Sequence, residues 1–537
     1  MTILVQERAL EDAAAGLARA LSWFDSLLAA KVAAHRARLR DGDDFRGIFI
    51  SEDEVDEILS RASLGDGSSG LNGSFEERLS PPLPDRLARL ASEFGLNEFD
   101  VACLLMVVAY QLDRRYGRLF AYLQDDLTRQ TPTAGLALEL FCGSFQESAA
   151  ARSRFAAAAP AVSLGLLRVD TAAGQPLMSR VLTPDERVVA FLLGVDDADE
   201  GLLGCGASLL PRPAPGLVVG ARFHEETERL ITRLRATETA PVLAIRGDKG
   251  SGRRLAARRI AAALGHDTLL LPWAADGDVS TAMREAVFQD AMLCWADADA
   301  LLDAERPPRA LELALEASQR VVIFTLGHVG HLPLRLAGRP VWVLDVPAPG
   351  NAERQAIWAQ EGARAGVALT DLEAELLATT YRLNGGRIAA AADRALLRAG
   401  GRSVLPQDLL EAARSLSTTD LGRLGQEIRP RFGWADIVLP AEVSEALHEI
   451  IDRVVHHGRV FGDWGFDARH AASRSLSVLF CGPSGTGKTM AAEVIATELG
   501  LPLYRVDLSA VVSKYIGETE KNLSQIFSDA ASSGAIL

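Results

Sequence analysis

Residues 475–500 read SLSVLFCGPSGTGKTMAAEVIATELG. An apolar run at 476–481 enters the pattern G-x-x-x-x-G-K-[ST], and a helical stretch with Ala491, Ala492, Val494 and Ile495 follows. Strand, glycine-rich turn and helix in that order are the setting in which this pattern forms a phosphate-binding loop. Gly482, Gly485 and Gly487 let backbone N–H groups turn inward around phosphate oxygens, and the helix N-terminus adds its positive end. Lys488 is the candidate for the β and γ phosphates, and the Thr489 hydroxyl is the candidate ligand of Mg²⁺. Pro483, Ser484, Thr486 and Met490 complete the candidate ATP-contacting set.

Around this motif the chain is 537 residues long, 48% hydrophobic and 24% charged, a globular composition whose length implies three or four domains of about 100–200 residues each. The formal net charge of −15 removes any attraction of the whole protein to a phosphate backbone, so nucleic acid is disfavoured as a partner. Cys103, Cys142, Cys205, Cys294 and Cys481 lack CxxC spacing, which points to buried thiols in a reducing cytosol and not to disulfides or a zinc cluster. The N-terminus has no secretory pattern, and no stretch reaches the roughly 18 apolar residues of a membrane span. A cytoplasmic protein is expected.

Composition divides the chain further. Residues 1–62 are a helical leader, proline-free over 7–40, with Leu21, Phe24, Leu27 and Leu28 at helical spacing. Residues 63–83 contain SLGDGSSGLNGS, a linker composition. Residues 84–200 hold the helical stretches LARLASEF, NEFDVACLLMVVAYQL and YGRLFAYLQDD ahead of a hairpin expected at 162–169 and 177–182, which suggests a winged-helix-like domain. Its mixed charges, with Asp113, Asp125 and Asp126 among arginines, favour docking of protein over DNA. In 216–417 the strand VLAIRG meets a glycine-rich turn and the helix RRLAARRIAAALG. Strands follow at 292–295, 321–326 and 341–346, and the segment after Pro349 becomes a helical lid. A second such module occupies 431–537. The fold class is therefore α/β, P-loop NTPase αβα modules in tandem behind a helical leader and a winged-helix-like domain.

With these motifs the sequence resembles the AAA+ ATPase family, closely over 431–537 and more distantly over 216–417. FGWADIVLPAEVSEALHEII, 432–451, is similar to the family's opening segment, which implies that the backbone at Ile437 and Val438 lies near the adenine. SKYIGETEKNLSQIF, 513–527, is similar to its first pore loop, with Tyr515 as an aromatic paddle between Lys514 and Ile516. The resemblance implies ATP and Mg²⁺ as cofactors, a homo-oligomeric ring, namely a hexamer, and a polypeptide substrate gripped through apolar and backbone contacts.

The first module departs from the pattern. In GDKGSGRR, 247–254, Arg253 holds the lysine position and Arg254 the Ser/Thr position. A guanidinium is a planar fork and not a compact point charge. Arg254 also removes the metal-ligating hydroxyl, and at about 4 Å and an effective dielectric of about 20 its repulsion of a divalent ion is about 8 kcal/mol. In MLCWADADALL, 292–302, Ala296 stands where the family has its metal-binding Asp and Asp297 where it has its catalytic Glu. The resemblance thus implies an inactive first module. Arg387 falls where a sensor 2 arginine would stand, Arg335 is a poor match to a trans-acting finger, and a solvated charge is the alternative for both. The sequence stops at SSGAIL, where the family continues into a strand bearing Asp-Glu, so a truncated chain is expected, with the second module's catalytic acids outside it. The activity implied is ATP hydrolysis driving remodelling or threading of a protein. A nonenzymatic, nucleotide-stabilised scaffold and a winged-helix DNA-binding regulator are the alternatives.

Overall fold

The computed structural model describes residues 2–40, 83–170, 174–214, 216–237, 239–274, 277–303, 307–327, 332–381, 383–417, 425–455 and 476–507, with 523, 526, 527, 530 and 535–537. The chain divides into two compact units: Met1–Pro215, Thr227–Arg246 and Arg254–Asp345 in the first, Gly216–Glu226, Gly247–Arg253 and Val346–Leu537 in the second. The sheet of segment 216–417 thus lies in the first unit and its helical lid in the second.

The first unit opens with α1 (Thr2–Arg40), which buries Leu17, Leu21, Phe24, Leu28 and Val32 along one face. Phe24 packs on Tyr116, Phe120 and Phe141 at ring-centroid distances of 5.8, 6.5 and 6.3 Å. The adjacent Asp25 accepts hydrogen bonds from the Tyr116 hydroxyl at 2.8 Å and from Arg115 Nη2 at 2.7 Å, so the charge carried inward is paired. Burial pushes the Asp25 carboxyl up from its ordinary value, against the pull of these two partners.

Five helices follow: α2 (Asp85–Phe94), α3 (Glu98–Leu112), α4 (Arg115–Leu123), α5 (Ala134–Phe141) and α6 (Phe145–Ala151). Asn97 and Asp100 start α3 with a reciprocal cap, and its apolar run is buried on nearly every side. A short antiparallel hairpin comes next, β1 (Leu167–Val169) with β2 (Leu182–Pro184), and Thr133 bridges to Val181. Its strands are shorter than the sequence suggests. Pro160 opens a one-turn helix, Pro160–Ser163, because its fixed φ suits a first helical position, and Leu177–Ser179 is a 3-10 turn. Asp113 Oδ1 accepts from the Arg115 N–H at 2.8 Å and Asp126 Oδ1 from the Thr128 N–H at 2.9 Å. These carboxylates therefore flank α4 and not the exposed α6.

After α7 (Glu186–Leu192) comes a seven-stranded sheet built from β3 (Ser208–Leu210), β4 (Val242–Arg246), β5 (Asp267–Pro272), β6 (Ala291–Ala296), β7 (Val322–Leu326), β8 (Arg335–Leu336) and β9 (Arg339–Asp345), in the order β3-β5-β6-β7-β4-β9-β8. The five middle strands are parallel, and β4, β6 and β7 are buried almost throughout, as in a sheet covered on both faces. Helices α8 (Arg253–Ala263), α9 (Val279–Phe288) and α10 (Arg309–Ala317) are the connections.

Three contacts tie α7 to α9. Phe191 stacks on Phe288 at 4.3 Å, Arg187 forks onto Glu285 through two bonds of 3.1 Å, and Arg284 reaches Asp185 at 3.2 Å. One hydrophobic core consequently runs from Leu17 in the leader to Leu336 in the sheet.

In the second unit the lid helices α11 (Asn351–Arg364), α12 (Asp371–Thr380), α13 (Gly385–Ala399) and α14 (Pro406–Ser417) close around Trp358, Leu377, Ile388 and Leu409. Beyond them lie β10 (Gly425–Ile428), α15 (Ala441–Val455), α16 (Lys488–Leu499) and β11 (Leu503–Val506). β10 pairs antiparallel with β11, and α15 meets α16 through Leu447, Ile451, Ala491 and Ile495. The strand expected at 476–481 has no ladder partner among the described residues, and Leu476, Val478 and Leu479 are exposed. An apolar run becomes a strand only where a neighbour takes up its N–H and C=O groups. Among the described residues no helix is long and apolar enough to cross a membrane.

Candidate nucleotide-binding site

Helix α16 begins at Lys488, directly after Gly487, so its first N–H groups have no partner within the helix. The loop ahead of it turns through Gly485 and Gly487 at φ of 85° and 84°. A Cβ at either would meet nothing within 4 Å, so the backbone conformation, and not crowding, requires glycine there. Thr486 Oγ1 donates to the Pro483 carbonyl at 3.0 Å. Lys488 Nζ donates to the Gly482 carbonyl at 3.0 Å and to the Pro483 carbonyl at 2.6 Å. The ammonium is folded over its own loop, while Ser484 and Thr489 are exposed and Met490 is half-buried. Glycine N–H groups, a helix start and an ammonium on one short loop fit a polyphosphate, and the exposed hydroxyl of Thr489 fits a magnesium ligand.

The same helix holds the opening segment. The Arg431 N–H donates to Glu493 Oε2 at 3.1 Å and Thr497 Oγ1 donates to the Phe432 carbonyl at 2.9 Å. Trp434 stacks on His448 at 4.0 Å, and Ile437 packs against the core of α15 and α16. Val438 is 96% exposed. Of the two residues expected near the adenine, one braces the segment and the other faces outward. Nothing in their residue types marks Glu493 and Thr497 as contacts of the opening segment; their i, i+4 spacing on α16 is the signal that puts both on one face. Lys514, Tyr515 and Ile516 lie outside the described residues.

In the first unit the two altered motifs meet. Arg254 Nη2 lies 2.5 Å from Asp297 Oδ2. Asp297 follows β6 at φ 54°, and its N–H donates to Oγ1 of the buried Thr325 at 3.0 Å. Ala296, buried at the end of β6, offers no ligand. A divalent ion would meet a guanidinium in place of a hydroxyl and a carboxylate already paired, so these residues do not fit magnesium-dependent chemistry. Arg335 donates to the Gly338 carbonyl at 2.7 Å, and Arg387 is half-buried near the start of α13.

Two family profiles match the chain. "Winged helix domain, variant" covers residues 11–205, and "ATPase family associated with various cellular activities (AAA)" covers 478–537, which includes the whole glycine-rich loop. Residues 478–537 are thus those of an AAA ATPase module. The chain is similar to the peroxisomal ATPase PEX6 of Colletotrichum orbiculare, 29% identical over 301 residues that are 49% of the chain and 21% of that protein. It is similar to the peroxisomal ATPase PEX6 of Penicillium chrysogenum, 29% identical over 305 residues, 49% of the chain and 20% of that protein. A third relative is the "Uncharacterized AAA family ATPase y4kL" of Sinorhizobium fredii, 35% identical over 112 residues, 21% of the chain and 32% of that protein. The chain thus matches about a fifth of the length of the two peroxisomal ATPases. The winged-helix profile takes in most of α1, whose Phe24 and Leu28 are buried in the same core as α3 and α4.

Proposed function

We propose that the second AAA+ module binds and hydrolyses ATP at 482–489 and that a cytoplasmic ring of like chains, a hexamer, uses the reaction to thread or remodel a protein. The loop with Lys488 at the start of α16 carries this reading. Glycine N–H groups and the helix start receive phosphate oxygens, Lys488 leaves the carbonyls of Gly482 and Pro483 to face the β and γ phosphates, and Ile437 and Val438 border the base. Magnesium held through the Thr489 hydroxyl would supply neutralisation of the charge developing between those phosphates. Lys514, Tyr515 and Ile516 are assigned to the grip on an extended chain, because an aromatic side chain can hold backbone and apolar groups without reading a sequence.

The test pairs two readouts, phosphate release and unfolding of a tagged partner protein, in the complete protein as wild type, Lys488→Ala and Tyr515→Ala. Lys488→Ala is expected to lose both activities. Tyr515→Ala is expected to keep hydrolysis within about threefold and lose unfolding, since its side chain touches substrate and not phosphate. Full unfolding by Tyr515→Ala overturns threading, and normal unfolding by Lys488→Ala overturns ATP as the driver.

A further inference from the structure

The glycine-rich loop Gly247–Arg253 and the lid belong to one compact unit, and they touch backbone to backbone. The Gly386 N–H donates to the Gly250 carbonyl at 2.8 Å. Asn384 Nδ2 donates to the Lys249 carbonyl at 2.8 Å, while its Oδ1 accepts from the Arg387 N–H at 3.1 Å and so caps α13. The fit leaves no space: a Cβ on Gly386 would lie 2.7 Å from Gly250 Cα, and one on Gly250 would lie 2.5 Å from Asn384 Oδ1. Gly250 also sits at φ 89°, which a side chain rarely tolerates.

From this geometry we infer that the first module's glycine-rich loop is the seat of its own lid and holds α13 in place without nucleotide. A loop of this kind offers its N–H groups to phosphate, so bonds from the lid to its carbonyls form without any phosphate present, whereas a helix start ordinarily offers its N–H groups to an anion. Here a lid N–H and a lid carboxamide are spent on loop carbonyls, and one residue, Asn384, both starts the lid helix and binds the loop. The ion pair of Arg254 with Asp297 is a separate observation against a metal-bound nucleotide at this loop. The first module is then a fixed support whose lid does not respond to ATP. This holds whether or not the second module hydrolyses ATP.

Hydrogen–deuterium exchange on the full chain tests it, with Lys488→Ala as the background so that the second loop is silent. Exchange over 385–399 is compared with and without saturating magnesium ATP, and in Gly386→Ala and Asn384→Ser. The lid is expected to exchange at the same rate in both conditions. Gly386→Ala should speed exchange about tenfold even though alanine is the better helix former, because its Cβ displaces the Gly250 backbone. Asn384→Ser keeps a good helix cap but cannot reach Lys249, and should speed exchange about fivefold. Asn384→Ser adds no bulk, so it decides the matter if Gly386→Ala does not fold. Unchanged exchange in Asn384→Ser, or protection of 385–399 by magnesium ATP in the background protein, overturns the inference.

Discussion

Removing the Lys488 ammonium isolates what the loop contributes to nucleotide affinity. The ammonium already has two partners, the carbonyls of Gly482 and Pro483 at 3.0 and 2.6 Å. When phosphate arrives, those bonds are exchanged for bonds to phosphate oxygens, so the number of hydrogen bonds nearly cancels and the remaining gain is Coulombic. For unit charges at about 4 Å and an effective dielectric of about 20 that gain is about 4 kcal/mol. Lys488 is only half-buried, and solvent and salt screen it, which brings the expected loss in Lys488→Ala to about 2–4 kcal/mol, or roughly 30- to 1,000-fold in Kd. Calorimetric titration of magnesium ATP into both proteins measures it. Raising the salt should weaken wild type more than Lys488→Ala, because the screened term is the one the variant lacks. Equal affinities would refute the assignment of Lys488, and so would an equal loss in Arg253→Ala.

Glu285→Ala should destabilise the first unit by about 2–3 kcal/mol, because the largely buried Arg187 loses its carboxylate and keeps only the Val195 carbonyl and the Phe288 ring, whereas Arg187→Leu with Glu285→Leu should cost less than Glu285→Ala alone; a denaturation double-mutant cycle reads both. Duplex DNA should bind no tighter than about micromolar at physiological salt in a gel-shift titration, since the chain carries a net charge of −15. The Arg402 guanidinium and the Leu405 N–H hold the Asp408 carboxyl at about 2, below its ordinary 3.8. Its contribution is therefore present above pH 3.8 and lost as the pH falls through about 2. Asp408→Asn should lower the melting temperature at pH 7, and the gap should narrow steadily on acidification.

What the sequence displayed well was whatever is local. The strands expected at 292–295, 321–326 and 341–346 correspond to β6, β7 and β9; β6 and β7 are buried parallel strands and read as uninterrupted apolar runs, and β9 carries the shorter run VWVL. β10 is not legible in the sequence, since GQEI has no apolar alternation and becomes a strand through its pairing with β11. The hairpin of the winged-helix segment is shorter than its apolar residues suggest, because Pro160 starts a turn of helix that takes in Val162. Long-range pairings left no trace. Arg187 and Glu285 are 98 positions apart and look like ordinary surface charges until the fold buries them together. Asn384 and Lys249, 135 positions apart, are a further case.

The pairing of Arg254 with Asp297 changes how the two losses in the first module should be understood. Taken singly, each is an erosion: a hydroxyl became a guanidinium, and a position that the family fills with Glu became Asp. Together they are complementary, since the cation introduced at one position is met at 2.5 Å by the anion at the other. Arg254 without Asp297 would leave an unmatched charge beside the end of a buried parallel sheet, and Asp297 is held for this contact at φ 54° by its bond to Thr325. Both side chains are about half exposed, so the pair contributes little to stability, of order 1 kcal/mol at most. Its effect is on chemistry. Reverting Arg254 alone to Thr would return a hydroxyl, but Ala296 would still offer no carboxylate. By the family pattern, a magnesium site in the first module would need changes at positions 254, 296 and 297 together, whereas the second module keeps a lysine and a hydroxyl, Lys488 and Thr489, at the corresponding positions of its loop.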